Sequence, residues 1–340
     1  MKVIMGLFLS LLTFSVFSHQ NLSYLYQEHS PKHFPDWMSE LDNNTRLRDI
    51  NIPGTHNSAS LYGGHIVITQ KMSIEEQLLA GIRFLDIRLR QTENVLAVHH
   101  GPVFQHQMFG DILHQVGQFL YSYPTETVLI RIRNEYHGKN NSELFCDTFA
   151  RYFSNYYPLF WRGSDENPTI NQLRGKVVIL ENFARKTDQK FGLPYGSFSI
   201  QDQWRVESNW SLYNKWSAIK QQLTKANQDA QSPDHRGAIN YLSASVGSFP
   251  YFVASGHSSP ETDAERLWTG FISFQGDFYP DFPRVDCWGD WCAIAFEGTN
   301  ILTQEYIAKS DLNYVGIIAA DFPGPELIET IIRLNSHSQR

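Results

Sequence analysis

From residue 49 to residue 322 the chain repeats one alternation, short strand-like runs separated by amphipathic helical stretches, and this restricts it to a few parallel architectures. The strand-like runs fall at 49–54, 84–90, 95–101, 127–136, 176–183, 199–204, 238–245 and 314–322, and helical periodicity is clearest at 110–123, 142–156, 208–226 and 325–334. Eight such runs with helices between them predict an α/β fold, a distorted TIM-type (β/α) barrel forming a single domain. The competing arrangement is an antiparallel sheet with one wet face. Helices flanking the strands favour the barrel, because they supply a cover for each strand's apolar side.

The strand faces carry more than the strand count. Leu85, Ile87 and Leu89 share one side of their run while Asp86, Arg88 and Arg90 share the other, and Ile130 and Ile132 likewise oppose Arg131, Arg133 and Glu135. With helices on the apolar side, these charges point into the barrel, where an unpaired one costs several kcal/mol. They must therefore meet partners or a ligand.

Residues 3–17 form an apolar run behind Lys2, with Val16 and Ser18 placed for a signal peptidase, so residues 1–18 read as a signal peptide and 19–340 as the exported domain. The run is shorter than the roughly 20 apolar residues of a spanning helix. A formal charge of −7 and the lack of basic runs interleaved with aromatics argue against a nucleic-acid partner. Cys146, Cys287 and Cys292 lack metal-ligand spacing; Cys287 and Cys292 flank a Trp-Gly-Asp-Trp turn that a disulfide could close, leaving Cys146 a buried thiol. Residues 256–296, rich in aromatics, Gly and Pro without a clean period, read as a loop-rich insert at one end of the domain. Its aromatics and those just before it (Phe249, Tyr251, Phe252, Trp268, Phe271, Phe278, Tyr279, Phe282, Trp288, Trp291) are candidates for contact with a lipid surface, which an acidic protein must reach by burying apolar side chains.

Asp49 to Ile52 alternate polar and apolar, and Pro53-Gly54 is expected to stop the strand, which leaves His56 at a strand's C-terminal mouth. Ligands bind at this end of parallel α/β folds. In Val98-His99-His100-Gly101-Pro102 the alternation sends the two imidazoles to opposite faces, so one of them can enter a site. Arg88 lies on the polar face of its strand, and Asp321 ends the apolar run from Val315 to Ala320. Two imidazoles can serve as base and acid on either side of a phosphodiester, and a guanidinium can stabilise the charge on its non-bridging oxygens.

The order of motifs then resembles a known family. Ile-Pro-Gly-Thr-His-Asn-Ser at 52–58, Gly-Ile-Arg-Phe-Leu-Asp-Ile-Arg at 81–88, Val-His-His-Gly-Pro at 98–102, Pro-Thr-Glu-Thr-Val-Leu-Ile-Arg at 124–131, Gly-Lys-Val-Val-Ile-Leu at 175–180, Ile-Gln-Asp-Gln-Trp at 200–204 and Val-Gly-Ile-Ile-Ala-Ala-Asp at 315–321 are similar to the X domain of phosphatidylinositol-specific phospholipase C, in its bacterial secreted branch. The resemblance implies a distorted barrel that cleaves phosphatidylinositol by attack of the inositol 2-hydroxyl, giving diacylglycerol and a cyclic inositol phosphate. It implies His56 as general base, Asp321 as its support, His100 as general acid and Arg88 on the phosphate, with His99 pointing away. Asp86, Arg133, Asp202, Trp204 and Asn182 fall at other active-site and inositol-contacting positions; Arg133 replaces a lysine and Asn182 an arginine of the best-known bacterial pattern. Asn57 stands where the metal-free bacterial enzymes carry Asp and the calcium-dependent ones Asn, while Arg88 holds a place where the latter have a carboxylate. A guanidinium there excludes a calcium ion, so the expectation is catalysis without a metal or other cofactor, by a monomer on a phosphatidylinositol-containing membrane surface outside the cytoplasm. The alternatives are a catalytically weak protein on the same barrel that binds inositol phosphates or glycolipid headgroups, a calcium-dependent variant, and a glycerophosphodiesterase, which would show a fuller metal-ligating carboxylate set than Asp86 and Glu135.

Overall fold

A computed structural model describes residues 22–272 and 278–337; the signal peptide expected at 1–18 lies outside the described residues. The strands are β1 (Ile52–Thr55), β2 (Phe84–Thr92), β3 (Val95–His100), β4 (Val103–Met108), β5 (Thr127–Asn134), β6 (Lys176–Asn182), β7 (Gly192–Pro194), β8 (Ser199–Gln201), β9 (Arg205–Val206), β10 (Ala238–Tyr241), β11 (Ser245–Val246), β12 (Trp268–Ile272), β13 (Arg284–Trp288), β14 (Trp291–Ala295) and β15 (Ile317–Ala320). The helices are α1 (Ile74–Leu79), α2 (Phe109–Ser122), α3 (Phe145–Asn155), α4 (Ile170–Leu173), α5 (Leu212–Asp229), α6 (Pro250–Ser255), α7 (Thr299–Lys309) and α8 (Pro325–His337).

Eight parallel strands follow the order β7-β6-β5-β2-β1-β15-β10-β8. Among the described residues no ladder joins β7 to β8, so the curled sheet is a distorted barrel, open along one seam. Alternation along the strands sorts the core into layers. Ile52, Phe84, Leu129, Leu180, Ile239 and Ala319 pack together inside, whereas Leu85, Ile87, Ile130 and Ile132 pack outward with residues of α1, α2 and α3. Ile318, Ala320 and Leu242 do the same with residues of α5, α7 and α8. Trp37 and Met38, from the polar stretch ahead of β1, join the inner cluster, and the fully buried Arg83–Glu126 pair (2.8 Å) lies beside them: Met38 N–H donates to Glu126 and Trp37 Nε1 to the Gly81 carbonyl.

Three expectations need correction. The run at 95–101 is not a barrel strand: β3 pairs antiparallel with β2 through the two-residue turn Glu93-Asn94, both left-handed (φ 52° and 58°), and the eighth barrel strand is the three-residue β7. Pro53-Gly54 does not stop β1 but lies within it, because a Cβ on Gly54 would sit 2.8 Å from the Phe84 side chain across the parallel ladder. Residues 256–296 are not loops throughout. β12, β14 and β13 form a three-stranded antiparallel sheet whose outer hairpin is closed by the Cys287–Cys292 disulfide, while Cys146 is a buried free thiol. Of the aromatics proposed for lipid contact, Phe252 and Phe282 are buried in the core; Phe249, Trp268, Phe278, Trp288 and Trp291 are exposed; the Phe271 side chain lies outside the described residues. Among the described residues no helix is long and apolar enough to cross a membrane.

Candidate active site

The C-terminal ends of β1, β2, β5, β8 and β15 converge with the β3–β4 hairpin on a cleft of about 270 Å³, lined by His56, Thr69, Arg88, His100, Arg133, Asp202, Trp204, Ser243, Ser245 and Asp321 among others. His56 follows β1 directly and its N–H donates to the Ala320 carbonyl, which locks the base of the side chain to β15. Gln70 donates from Nε2 to the carbonyls of both His56 and Ala320, tightening the same junction. Asn57 then turns the chain in the left-handed region (φ 42°), and Ser58 returns to β2: its N–H donates to the Asp86 carbonyl and its hydroxyl oxygen accepts from the Asp86 N–H.

The His56 ring is held from both sides. Its Nδ1 lies 2.8 Å from Asp321 Oδ1 and its Nε2 lies 2.8 Å from Arg88 Nη2. A guanidinium can only donate, so Nε2 accepts from Arg88 and Nδ1–H donates to Asp321. This is the tautomer of a base, with the Nε2 electron pair at the cleft side and held there by Arg88. Asp321 is buried, and burial pushes its carboxyl up while His56 and Arg88 oppose the shift. Its Oδ2 has no hydrogen-bond partner.

Arg88 is also the hub for two carboxylates, Asp86 Oδ2 at 3.5 Å and Glu135 Oε1 at 3.6 Å. Asp86 is fully buried; burial pushes its carboxyl up, yet Arg131, Arg88 and His56 together hold it well below the usual carboxylate range. Glu135 Oε1 accepts from the Gly101 N–H (3.0 Å), which ties the β3–β4 turn to the site, and its Oε2 lies 3.6 Å from Arg133 Nε. His100 donates from Nδ1 to the Val67 carbonyl (2.8 Å), so Nε2 is left for the cleft. Burial, then repulsion by the positive Arg88 and by the His56 ring, push this imidazole down to about 4. His99 points the other way, buried against Phe104.

The structure therefore brings His56, Arg88, His100, Asp321, Arg133, Asp202 and Trp204 together around one cleft, with Asp86 beneath its floor. It does not bring the side chains of Asn57 and Asn182 there. Asn57 is buried with its Nδ2 unpartnered, and the hydrogen bonds of the His56 ring go to Asp321 and Arg88 instead. Asn182 Oδ1 accepts twice from Arg131 (3.1 and 2.8 Å), whose guanidinium is enclosed by Tyr195, Tyr241 and Asp86. Sequence reasoning passed over Arg131, on the charged face of β5, and Glu135, the residue just beyond that strand, as site residues, although the charged alternation was the signal. It also passed over Lys215, a lysine in the buried stripe of α5 between Leu212 and Ile219.

Among the described residues no group of three or more His, Cys, Asp or Glu side chains is arranged to hold a metal ion. The guanidinium of Arg88 stands between Asp86 and Glu135, so a dication would meet a positive charge there.

Residues 44–183 match the family model described as phosphatidylinositol-specific phospholipase C, X domain. The chain is 30% identical over 258 residues to a 1-phosphatidylinositol phosphodiesterase of Staphylococcus aureus (strain Newman), covering 66% of this chain and 81% of that protein. It is 29% identical over 267 residues to the 1-phosphatidylinositol phosphodiesterase of Listeria monocytogenes, covering 73% and 81%. The solved structure of phosphatidylinositol-specific phospholipase C from Listeria monocytogenes superposes with a TM-score of 0.63 at 23% identity, over 89% of this chain and 99% of that one, and supports the fold. Motif order along the sequence, the barrel, and this degree of identity over most of a relative's length agree: the chain belongs to the phosphatidylinositol-specific phospholipase C X-domain family.

Proposed function

We propose that this protein cleaves phosphatidylinositol without a metal ion, by attack of the inositol 2-hydroxyl on phosphorus. The new O–P bond closes a cyclic inositol phosphate, the bond from phosphorus to the glycerol oxygen breaks, and diacylglycerol leaves. His56 Nε2 takes the 2-hydroxyl proton, Asp321 stabilises the resulting imidazolium, and His100 gives a proton to the glycerol oxygen. Arg88 receives the non-bridging oxygens, exchanging its contact with His56 Nε2 for the phosphate and so freeing the base as the substrate arrives. Because the nucleophile belongs to the substrate, no water has to be positioned. Arg133, Asp202 and Trp204 line the space left for the ring and its hydroxyls.

The observation that carries this reading is the relay Asp321–His56–Arg88, two contacts of 2.8 Å that prepare one imidazole as a base with a phosphate-binding cation at its free nitrogen. Phosphorus NMR of the early product from phosphatidylinositol micelles in excess EDTA tests it. A cyclic phosphodiester resonance is expected. A monoester as first product rejects the intramolecular attack, and dependence on added calcium rejects the metal-free mechanism.

A further inference from the structure

Behind the wall of the cleft lies an ammonium that this mechanism does not use. Lys215 on α5 is fully buried between that helix and the outer side of β8, and among the described residues it has no ion-pair partner. Its Nζ donates to Gln201 Oε1 at 3.3 Å. The same oxygen accepts the Gln203 backbone N–H at 2.6 Å. The amide cannot turn over to do otherwise, because Nε2 is committed to Asn240 Oδ1 (2.8 Å) and the Tyr241 carbonyl (2.9 Å), and Asn240 is itself anchored to the Ile219 carbonyl of α5. Asp202 sits between the two residues fixed in this way, and Trp204 N–H donates to the Asp202 carbonyl. Side chains alternate, so with Gln201 turned outward to the lysine, Asp202 turns inward to the cleft.

We propose that Lys215 is a positioning residue for headgroup binding: through Gln201 it fixes the 201–204 segment so that Asp202 and Trp204 face the substrate. This rests on the reading of the cleft as an inositol-headgroup site. Stability alone gives no reason for the lysine. The stripe it interrupts is Leu212, Trp216, Ile219 and Leu223, and an unbranched apolar side chain would fill the same space without enclosing a charge. The charged groups that act on the ammonium are carboxylates of the site, Asp202 at the end of β8 and Asp321 at the end of β15. Lys220 on the same helix is engaged by Asp281, and on α7 Glu305 and Lys309 pair with each other. Burial pushes the Lys215 ammonium down to about 7, against the pull of those two carboxylates. Its proton is therefore lost as pH rises through neutrality, and the charge-assisted bond to Gln201 weakens to a neutral one.

The test compares wild type with Lys215→Met on a soluble short-chain phosphatidylinositol from pH 5 to 9, together with thermal melting and ¹⁹F NMR of 5-fluorotryptophan at Trp204, assigned by Trp204→Phe. At pH 6 the Met variant should show KM raised about tenfold with kcat within about threefold, the size of one charge-assisted hydrogen bond. Its melting temperature should equal or exceed that of wild type. The wild-type KM should rise as pH passes about 7, and that rise should be absent from the variant. The Trp204 resonance should follow the same titration in wild type without substrate, and not in the variant. A wild-type KM in the Met variant, a fall in melting temperature with kcat and KM changing together, or a Trp204 signal indifferent to Lys215 overturns the proposal. The fluorine arm needs no turnover, so it decides the role of Lys215 even if phosphatidylinositol proves not to be cleaved.

Discussion

Replacing Asp321 by Asn separates the electrostatic part of the proposed mechanism from the fold. The 2.8 Å contact between His56 Nδ1 and Asp321 Oδ1 puts the two charge centres about 4 Å apart once the imidazolium forms, an attraction of about 4 kcal/mol at an effective dielectric constant near 20. Losing it should slow kcat by about 10³-fold. An amide can also present its NH₂ to Nδ1 and force the proton onto Nε2, the wrong tautomer for a base. Stability should move the other way. Burial raises the Asp321 carboxyl, so its contribution to folding is present at low pH and lost as pH rises through the folded-state value. At neutral pH the buried carboxylate is a net liability, and Asp321→Asn should melt at or above the wild-type temperature, with the difference shrinking in acid. The assay is kcat on short-chain phosphatidylinositol beside melting curves at pH 5 and 7. A loss in kcat below about tenfold, or a lower melting temperature at pH 7, would refute the reasoning.

His56→Ala and His100→Ala should each cost roughly 10²- to 10⁴-fold in kcat, with His99→Ala mild by comparison; an essential His99 and a dispensable His100 would show the face assignment of β3 to be wrong. The alkaline limb of kcat/KM, which reports the free enzyme, should lie at lower pH than that of kcat, because His100 is pushed down to about 4 in the empty site by burial, Arg88 and His56, and an anionic phosphate beside it restores its affinity for a proton. Coincident limbs in the two profiles would remove His100 as the acid. Trp288 and Trp291, exposed on the disulfide-closed hairpin, are placed to bury apolar surface in a lipid interface, and Ala at both should weaken binding to phosphatidylinositol vesicles by at least roughly tenfold while sparing a soluble substrate. Raised salt should change wild-type vesicle binding little, and a steep salt dependence with no effect of the Trp changes would point to a basic patch as the anchor.

What the sequence conveyed about the fold was the faces of its strands. Asp86 and Arg88 do lie on the side opposite Leu85, Ile87 and Leu89, as period 2 requires. Period 2 says nothing about the direction of the neighbouring strand, which is why β3, a hairpin return, passed for a member of the barrel. The two-residue Glu93-Asn94 turn was the local sign that it returns. β7 has three residues, too few to establish any period. The sheet at 268–295 escaped for a different reason, since register shifts between Thr269 and Phe271 and between Val285 and Trp288 break the alternation that would have revealed it.

The site divides along a similar line. His56, His100 and Asp321 lie at or just beyond strand ends and Arg88 on the polar face of β2, so their places follow from one-dimensional signals: where a strand ends, and the alternation along it. The groups that prepare them do not. Arg131 and Asp86 meet at 3.4 Å because β2 and β5 run in parallel register, Asp86 opposite Arg131 and Arg88 opposite Arg133. That register stacks three guanidinium groups against two carboxylates, Asp86 and Glu135, and leaves positive charge in excess at the end of the stack that opens on the cleft. Asp86 is shared between Arg131 and Arg88, so Arg88 is not neutralised by a carboxylate of its own and can still attract an anion. The capacity proposed for this cleft, to receive a phosphodiester, therefore rests on strand pairing as much as on any single residue. No reading of one strand at a time could supply it.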